Sequence, residues 1–276
     1  MASVEQVKAF WESNPLFSGE SRHAIGSREF FEEHREVTIG DCMAGVFDSR
    51  FLPPGSNRSA VLDLGCGPGF WTIELARRAN LSGRIVAADL TTQAAALTGK
   101  RAEIYGIDVA TEVQNAERLT FPDGRFSHVN CIGVIHHTPD TAACVREIAR
   151  VLRPGGTAVV SVYYKNIILR NWSLLSGIGR LLAQAGAMLR GRGREDIFRQ
   201  NDIEEIVRLY DGAENPVGKA YTKAEYYALL EPYFVINDSF LIFFPARSLP
   251  FKIPKWLHRW LDRNVGFLIT TTLTKR

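Results

Sequence analysis

The sequence predicts an α/β protein whose core is a doubly wound, mostly parallel sheet, with additional helices that form a cap. Three observations lead to this prediction. From residue 60 onwards, short apolar runs alternate with helical stretches, which is the pattern of strand–helix–strand units. A glycine-rich turn begins at Gly65, directly after the first of these runs. Apolar residues make up 46% of the 276 residues, which is enough for a substantial buried core.

The distribution of strand-like runs and helical stretches divides the chain into four predicted parts. They are an N-terminal helical lid (1–56), a sheet core (57–164), a helical cap insertion (165–232) and C-terminal strands that complete the sheet (233–276). Within the lid, Pro15 is expected to end one helix and Ser27 to begin the next. A helix over 141–152 is expected to stop at the Pro154-Gly155-Gly156 turn.

Seven strands are predicted. The core runs are 60–64, 84–89, 109–114, 126–135 and 157–163, and the C-terminal runs are 234–244 and 265–274. A basic-aromatic segment, 249–261, lies between the last two strands. We interpret it either as a plain crossover or as a weak membrane-surface contact.

Composition excludes several classes of protein. The chain has 33 basic and 30 acidic side chains, a net charge of +3, so it lacks the basic field that a nucleic-acid-binding protein uses. The four cysteines show no metal-ligand spacing and are expected to be reduced thiols, and no metal is predicted. No secretory leader is visible, which predicts a cytoplasmic protein. Residues 167–189 carry arginines and a one-sided apolar face, which predicts an amphipathic helix that does not span a membrane.

The glycine turn carries the most chemical information. An apolar strand delivers Asp63 to its carboxyl end, and Gly65, Gly67 and Gly69 lead into a helix that starts near Phe70. Glycines suit this turn because they adopt positive φ and let a ligand approach the backbone. A dinucleotide site has similar glycines, but a carboxylate beside a pyrophosphate would be repelled. A carboxylate could instead pair with the ammonium of a methionyl group, which favours S-adenosylmethionine over NAD.

Asp89 ends the second predicted strand and lies 20 residues after Gly69. An acidic side chain in this register can accept hydrogen bonds from both hydroxyls of a ribose. The alternative is a solvated aspartate at the end of a strand.

These residues resemble the class I S-adenosylmethionine-dependent methyltransferases, which have a Rossmann-like fold. The resemblance implies a mostly parallel sheet of seven strands in which the last strand is antiparallel. The resemblance also covers segments 115–123, 135–140 and 151–156, and it is nearest to the quinone-biosynthesis and natural-product branch that acts on small molecules. The implied cofactor site is Asp63, Gly65, Cys66 and Gly67 around the methionyl side, Asp89 and Leu90 at the ribose, Asn115 and Ala116 at the adenine, and Ile132 beside the sulfonium. Asn115 stands where many relatives have an aspartate, and its amide oxygen could accept the same hydrogen bond.

His136 and His137 follow the fourth predicted strand and are the candidate catalytic residues. An imidazole titrates near neutral pH and can take a proton from an acceptor, and we prefer His137 for this role. The alternative is a pair of structural histidines. Tyr163, Tyr164, Trp172 and Tyr221 are candidates for an acceptor pocket, with core packing as the alternative.

The predicted function is therefore transfer of a methyl group to O, N or C of a small, apolar or aromatic acceptor, without nucleic acid as a partner. Two alternatives stay open: a protein of this fold that binds the cofactor without methyl transfer, such as a cyclase, and an NAD-dependent oxidoreductase. The sequence leaves the oligomeric state open.

Overall fold

The computed structural model describes residues 2–184, 189 and 197–276. The strands are β1 Val61–Leu64, β2 Ile85–Asp89, β3 Ala110–Val113, β4 Phe126–Cys131, β5 Leu152–Tyr164, β6 Ala220–Tyr221, β7 Phe234–Ile242 and β8 Leu268–Lys275. The helices are α1 Val4–Ser13, α2 Arg28–Val37, α3 Phe70–Ala79, α4 Thr92–Tyr105, α5 Thr141–Val151, α6 Ile167–Arg170, α7 Trp172–Gln184, α8 Ile203–Tyr210, α9 Lys223–Leu230 and α10 Lys255–Val265.

The strands form one sheet in the order β3-β2-β1-β4-β5-β8-β7, and the two-residue β6 pairs with β5. Strands β1 to β5 are mutually parallel, whereas β8 runs antiparallel to both of its neighbours. The predicted fold class is therefore confirmed, with β6 as a short addition. The chain moves outward from β1 to β3 and then returns to the other side of β1, so the switch point of the sheet lies between β1 and β4.

Helices pack on both faces of the sheet because side chains along each strand alternate between the faces. Leu62 of β1 lies in one core cluster with Val145 and Ile148 of α5. Its neighbour Val61 lies in a different cluster, with Leu75 of α3. This arrangement is the doubly wound architecture, and it leaves the carboxyl ends of β1, β2 and β4 together at one edge.

The N-terminal helices begin where their capping residues predict. The Ser3 hydroxyl accepts a hydrogen bond from the Gln6 amide (3.3 Å), and the Gln6 side chain accepts one from the Ser3 amide (2.8 Å), which forms a capping box. The Ser27 hydroxyl accepts from the Phe30 amide (3.1 Å) at the start of α2. Phe30 and Phe31 of α2 are fully buried, so this region is packed onto the core.

Several predicted boundaries were wrong. Strand β4 ends at Cys131, and Ile135–His137 form a single 3₁₀ turn. Strand β5 begins at Leu152, directly after α5, so the Pro154-Gly155-Gly156 sequence lies within the strand. In the case of β5, pairing of Leu152 with Phe126 of β4 overrides the turn signal of the proline and glycines. The segment 249–261 lies between β7 and β8, as predicted for a crossover, and contains most of α10, which continues to Val265.

The predicted helix at 167–189 is divided between α6 and α7 in its described part. Residues 185–188 and the glycine-arginine loop predicted for 191–194 lie outside the described residues. Within the part of the chain that is described, no helix is long and apolar enough to cross a membrane.

Candidate functional site

The glycine turn lies between β1 and α3, at the switch point of the sheet. Gly65, Gly67 and Gly69 all have positive φ (76°, 51° and 77°), so the turn needs glycine conformations. A Cβ on Gly65 would lie 2.1 Å from the Val134 side chain, whereas a Cβ on Gly67 would meet nothing within 4 Å. The backbone at Gly67 therefore borders open space that a ligand can occupy.

The backbone amides of the turn are already engaged. The amides of Gly65 and Cys66 both donate to the Ala88 carbonyl (2.7 and 3.0 Å), and the Gly67 amide donates to Asp89 Oδ2 (3.0 Å). A pyrophosphate cradle needs free amides that point at the phosphate oxygens. This turn presents a carboxylate instead, which suits a cationic or hydroxyl-bearing ligand and opposes a phosphate.

Asp63 lies in β1 as predicted, but its carboxylate does not face the cavity. Its carboxylate is buried, with Oδ2 accepting from the Thr72 hydroxyl (2.5 Å) and Oδ1 accepting from the Asn130 amide (2.7 Å). Asn130 is the direct β4 neighbour of Asp63 in the sheet register, which explains the second bond. Burial raises the pKa of Asp63 to about 6. Asp63 thus braces β1, α3 and β4 from behind the turn, and its carboxylate does not line the cavity.

Asp89 lies at the carboxyl end of β2, with its carboxylate at the cavity wall. Oδ1 accepts from the amide and hydroxyl of Thr91 (3.0 and 2.9 Å), and Oδ2 accepts from Gly67. Burial raises the pKa of this carboxylate, and the hydrogen bonds oppose that shift. Each carboxylate oxygen has more than one lone pair, so Asp89 can still accept from a ligand.

One cavity of about 670 Å³ adjoins the glycine turn, within the usual range for a small-molecule site. Except for Asp63, all of the predicted cofactor residues line it: Gly65, Cys66, Gly67, Asp89, Leu90, Asn115, Ala116 and Ile132. Asn115 differs from the predicted arrangement in one respect, because its Oδ1 already accepts from the Glu117 amide (2.9 Å).

Aromatic residues that are distant in sequence form part of the cavity wall. This aromatic wall consists of Trp11 of α1, Tyr163 of β5, Tyr210 of α8 and Phe243 after β7. The sequence does not mark Trp11, Tyr210 or Phe243 as site residues, because they belong to no local motif.

The other predicted acceptor residues have structural roles. Trp172 is stacked on Phe198, and its indole donates to the Gln200 carbonyl (2.9 Å). The Tyr221 hydroxyl donates to Thr141 (2.9 Å), and Tyr164 packs against the main core. None of the three lines the cavity.

His136 and His137 both line the cavity, but their surroundings differ. Burial and the neighbouring His137 lower the pKa of His136 well below its usual value, which makes it a poor base. Nδ1 of His137 lies 2.9 Å from the Val217 carbonyl, and because a carbonyl only accepts, Nδ1 carries the proton in the neutral ring. Nε2 is then the basic nitrogen, and it lies 3.5 Å from the carboxylate of Asp211.

Asp211 connects this histidine to the aromatic wall. Its carboxylate also accepts from the Tyr163 hydroxyl at 3.0 and 3.1 Å. The Trp11 ring packs edge-on to the His137 ring with centroids 5.3 Å apart. An imidazole nitrogen and a carboxylate, two groups used in general acid–base chemistry, thus lie together at the cavity wall.

Arg101 ties the N-terminal helices to the glycine turn. This guanidinium is buried, donates to the carbonyls of Pro68 and Phe31 (both 3.1 Å) and lies 3.2 Å from His34 Nδ1. Burial, and then the charge of Arg101, lowers the pKa of His34 to about 3, so His34 is neutral. One side chain from α4 thus fixes α2 against the turn.

Replacing Arg101 with methionine is expected to lower the free energy of unfolding by about 3 kcal/mol, because two buried carbonyls lose their donor. Urea denaturation measures this change. Lys100→Met is the matched control, since Lys100 is the exposed neighbour on the same helix. Equal stability of the two variants would contradict the bracing role of Arg101.

The cysteines have no disulfide partners in the described chain, and burial raises the pKa of all four thiols. Within the described residues, no group of histidine, cysteine and acidic side chains has the arrangement of a metal site.

Comparison with known proteins identifies the domain. Residues 61–156 match a family model described as a methyltransferase domain. The demethylmenaquinone methyltransferase of Bacillus licheniformis is 34% identical over 108 residues, which are 39% of this chain and 45% of that protein. The ubiquinone biosynthesis O-methyltransferase of Xanthomonas axonopodis pv. citri is 32% identical over 114 residues, 41% of this chain and 45% of that protein. The chain matches less than half the length of these relatives.

A solved structure extends the likeness to the whole chain at the level of fold. The 4+2 cyclase SpnF has a TM-score of 0.54 and 15% identity, over 100% of this chain and 97% of that one. Residues 61–156 are therefore a methyltransferase domain of the class I type. Its cofactor is S-adenosylmethionine, and the open Gly67 and the carboxylate of Asp89 fit that molecule. The NAD-dependent alternative has no support from the match or from the engaged amides.

Proposed function

We propose that the protein transfers a methyl group from S-adenosylmethionine to a small, largely apolar or aromatic molecule. The observation that carries this proposal is a single cavity lined by the glycine turn, by Asp89, by His137 and by the aromatic wall. Cofactor and acceptor can therefore meet within one cavity. We also propose that the cofactor is held by the cavity-lining residues predicted from the sequence.

When bound, S-adenosylmethionine supplies a methyl group on a positively charged sulfur, whose displacement needs no nucleophile from the protein. The task of this chain is alignment and exclusion of water. Asp89 would accept hydrogen bonds from the ribose. Trp11, Tyr163 and Phe243 would hold an apolar acceptor, and the helices α1 and α2 would act as the lid.

His137 would take the proton that the acceptor loses, with Asp211 beside its Nε2. This arrangement suits any acceptor that loses a proton on methylation, which includes hydroxyls, amines with an N–H and aromatic carbons. The name of the Xanthomonas relative, an O-methyltransferase, agrees with oxygen as the acceptor atom.

The activity is tested by incubating the protein with S-adenosylmethionine and a panel of phenols, catechols, quinols and indoles. Formation of S-adenosylhomocysteine together with one methylated acceptor, measured by mass spectrometry, is the expected result. Tight cofactor binding without S-adenosylhomocysteine from any acceptor would favour the alternative of a protein of this fold that does not transfer a methyl group.

His137→Gln is expected to lower kcat about 100-fold at neutral pH, because the acceptor would have to lose its proton to water. The loss should shrink as pH rises and the acceptor ionises by itself. Calorimetry should show unchanged affinity for S-adenosylmethionine, which separates proton transfer from binding. Normal turnover of the variant between about pH 6 and pH 9 would remove His137 from the mechanism.

A further inference from the structure

Helix α10 exposes two tryptophans that the proposed reaction does not use. Trp256 and Trp260 are 71% and 55% exposed, and Phe251, just before the helix, is 63% exposed. The tryptophans are four residues apart, so they lie side by side on one face of the helix. We define the basic-aromatic face by the exposed residues Lys252, Lys255, Trp256, Arg259, Trp260 and Arg263.

The charge of this face has one sign. Asp262 is the only acidic residue between 249 and 264, and its side chain is buried. It accepts from the Phe244 amide (2.6 Å) and lies 3.5 Å from His258. Asp48 lies near Arg263 but is paired with Arg50 at 2.6 Å. Solvent therefore meets a stripe of cations beside a stripe of indole rings.

The buried side of α10 is fixed to the rim of the cavity. His258 Nε2 lies 3.1 Å from the Phe244 carbonyl, and Asp262 holds the amide of the same residue. On the exposed face, Arg259 adds a further anchor, because its Nε donates to the Ala44 carbonyl (3.3 Å). Phe243 and Met43, the neighbours of these two anchor points in the chain, both line the cavity. Because α10 is anchored beside these two residues, a surface that binds the exposed face of α10 would lie close to the cavity rim.

We propose that the basic-aromatic face binds the surface of an anionic lipid bilayer and holds the cavity rim close to that surface. Indole rings favour the boundary between headgroups and acyl chains, and lysine and arginine are attracted to anionic lipids. The net charge of the whole chain is only +3, so the positive charge of this face is local. The chain as a whole lacks the positive electrostatic field that would attract nucleic acid. Resting on the proposed function, the inference further assigns the acceptor to molecules that partition into membranes.

Flotation of the purified protein with vesicles tests the binding directly, without S-adenosylmethionine. The vesicles are pure phosphatidylcholine or phosphatidylcholine with about one quarter phosphatidylglycerol. The protein should float with the anionic vesicles, and the bound fraction should fall about tenfold when salt rises from about 0.05 M to about 0.5 M. Floating equally well with the neutral vesicles would overturn the proposal.

Two variants locate the contact. Trp256→Ser/Trp260→Ser and Lys252→Glu/Lys255→Glu should each reduce binding to anionic vesicles at least about tenfold. The control is Val113→Ser/Val235→Ser, which changes two half-exposed apolar residues on β3 and β7 and should bind like the wild type. Circular dichroism checks that each variant is folded. Undiminished flotation of either face variant, while folded, would overturn the proposal.

Sedimentation velocity tests whether a second copy of the chain, and not a lipid bilayer, binds the basic-aromatic face. A dimer that Trp256→Ser/Trp260→Ser abolishes, in a wild type that does not float, would overturn lipid binding. Because flotation is measured without cofactor, it can succeed where methyl transfer fails. Conversely, S-adenosylhomocysteine formation without flotation would sustain the proposed function alone.

Discussion

Asp89→Ala is expected to weaken binding of S-adenosylmethionine about 100-fold. The carboxylate lines the cavity, and two hydrogen bonds between ribose hydroxyls and an anion are together worth about 3 kcal/mol. Isothermal titration calorimetry measures the effect. Asp89→Asn keeps one acceptor oxygen and should lose only about tenfold.

A control is needed because Asp89 also supports the turn through Gly67 and Thr91. Thr91→Val removes one of these supports and leaves the carboxylate in place, so its effect should be less than about fivefold. Burial raises the pKa of Asp89, so the wild-type affinity should begin to fall on acidification at a higher pH than for an ordinary aspartate. Asp89→Asn should not show that fall. An unchanged affinity of Asp89→Ala would exclude Asp89 from the site.

Gly65→Ala and Gly67→Ala are expected to separate folding from binding. At Gly65, a Cβ would lie 2.1 Å from Val134 and would sit at a φ of 76°, so we expect a loss of about 3 kcal/mol in the free energy of unfolding. At Gly67, the Cβ meets open space, so only the conformational cost of about 1 kcal/mol remains. The same Cβ points into the region that the ligand would occupy, and cofactor affinity should fall at least about tenfold.

Urea denaturation and calorimetry measure the two effects side by side. Gly65→Ala/Val134→Ala should recover part of the lost stability, because the second change removes the atoms that clash. If Gly65→Ala were as stable as Gly67→Ala, the close approach of Val134 would be contradicted. If Gly67→Ala bound S-adenosylmethionine normally, the cofactor would not lie over this turn.

The sequence predicted the place of Asp63 in the chain correctly, but the contacts of its carboxylate differ from the predicted ones. The sequence placed an acidic residue at the end of β1, and the strand is where it was predicted. The direction of its carboxylate depends on Thr72 and Asn130, which come from α3 and from β4. Asn130 becomes its neighbour only through pairing of strands 67 residues apart. In the proposed site, the methionyl end of the cofactor would therefore meet backbone and the open space at Gly67, with Asp63 behind the turn.

The sequence by itself determined the alternating strands and helices, the glycine turn and the position of Asp89, whereas the reversed last strand was implied by the family resemblance. The first three features follow from side-chain periodicity and from backbone conformations that only glycine adopts easily, and both act over a few residues. Only the tertiary structure brought Trp11 and Asp211 to His137, and only it showed that Trp256 and Trp260 are exposed. These contacts and exposures depend on residues from distant parts of the chain. Packing of whole helices and strands sets the distances between them, and the local conformational preferences of the residues do not.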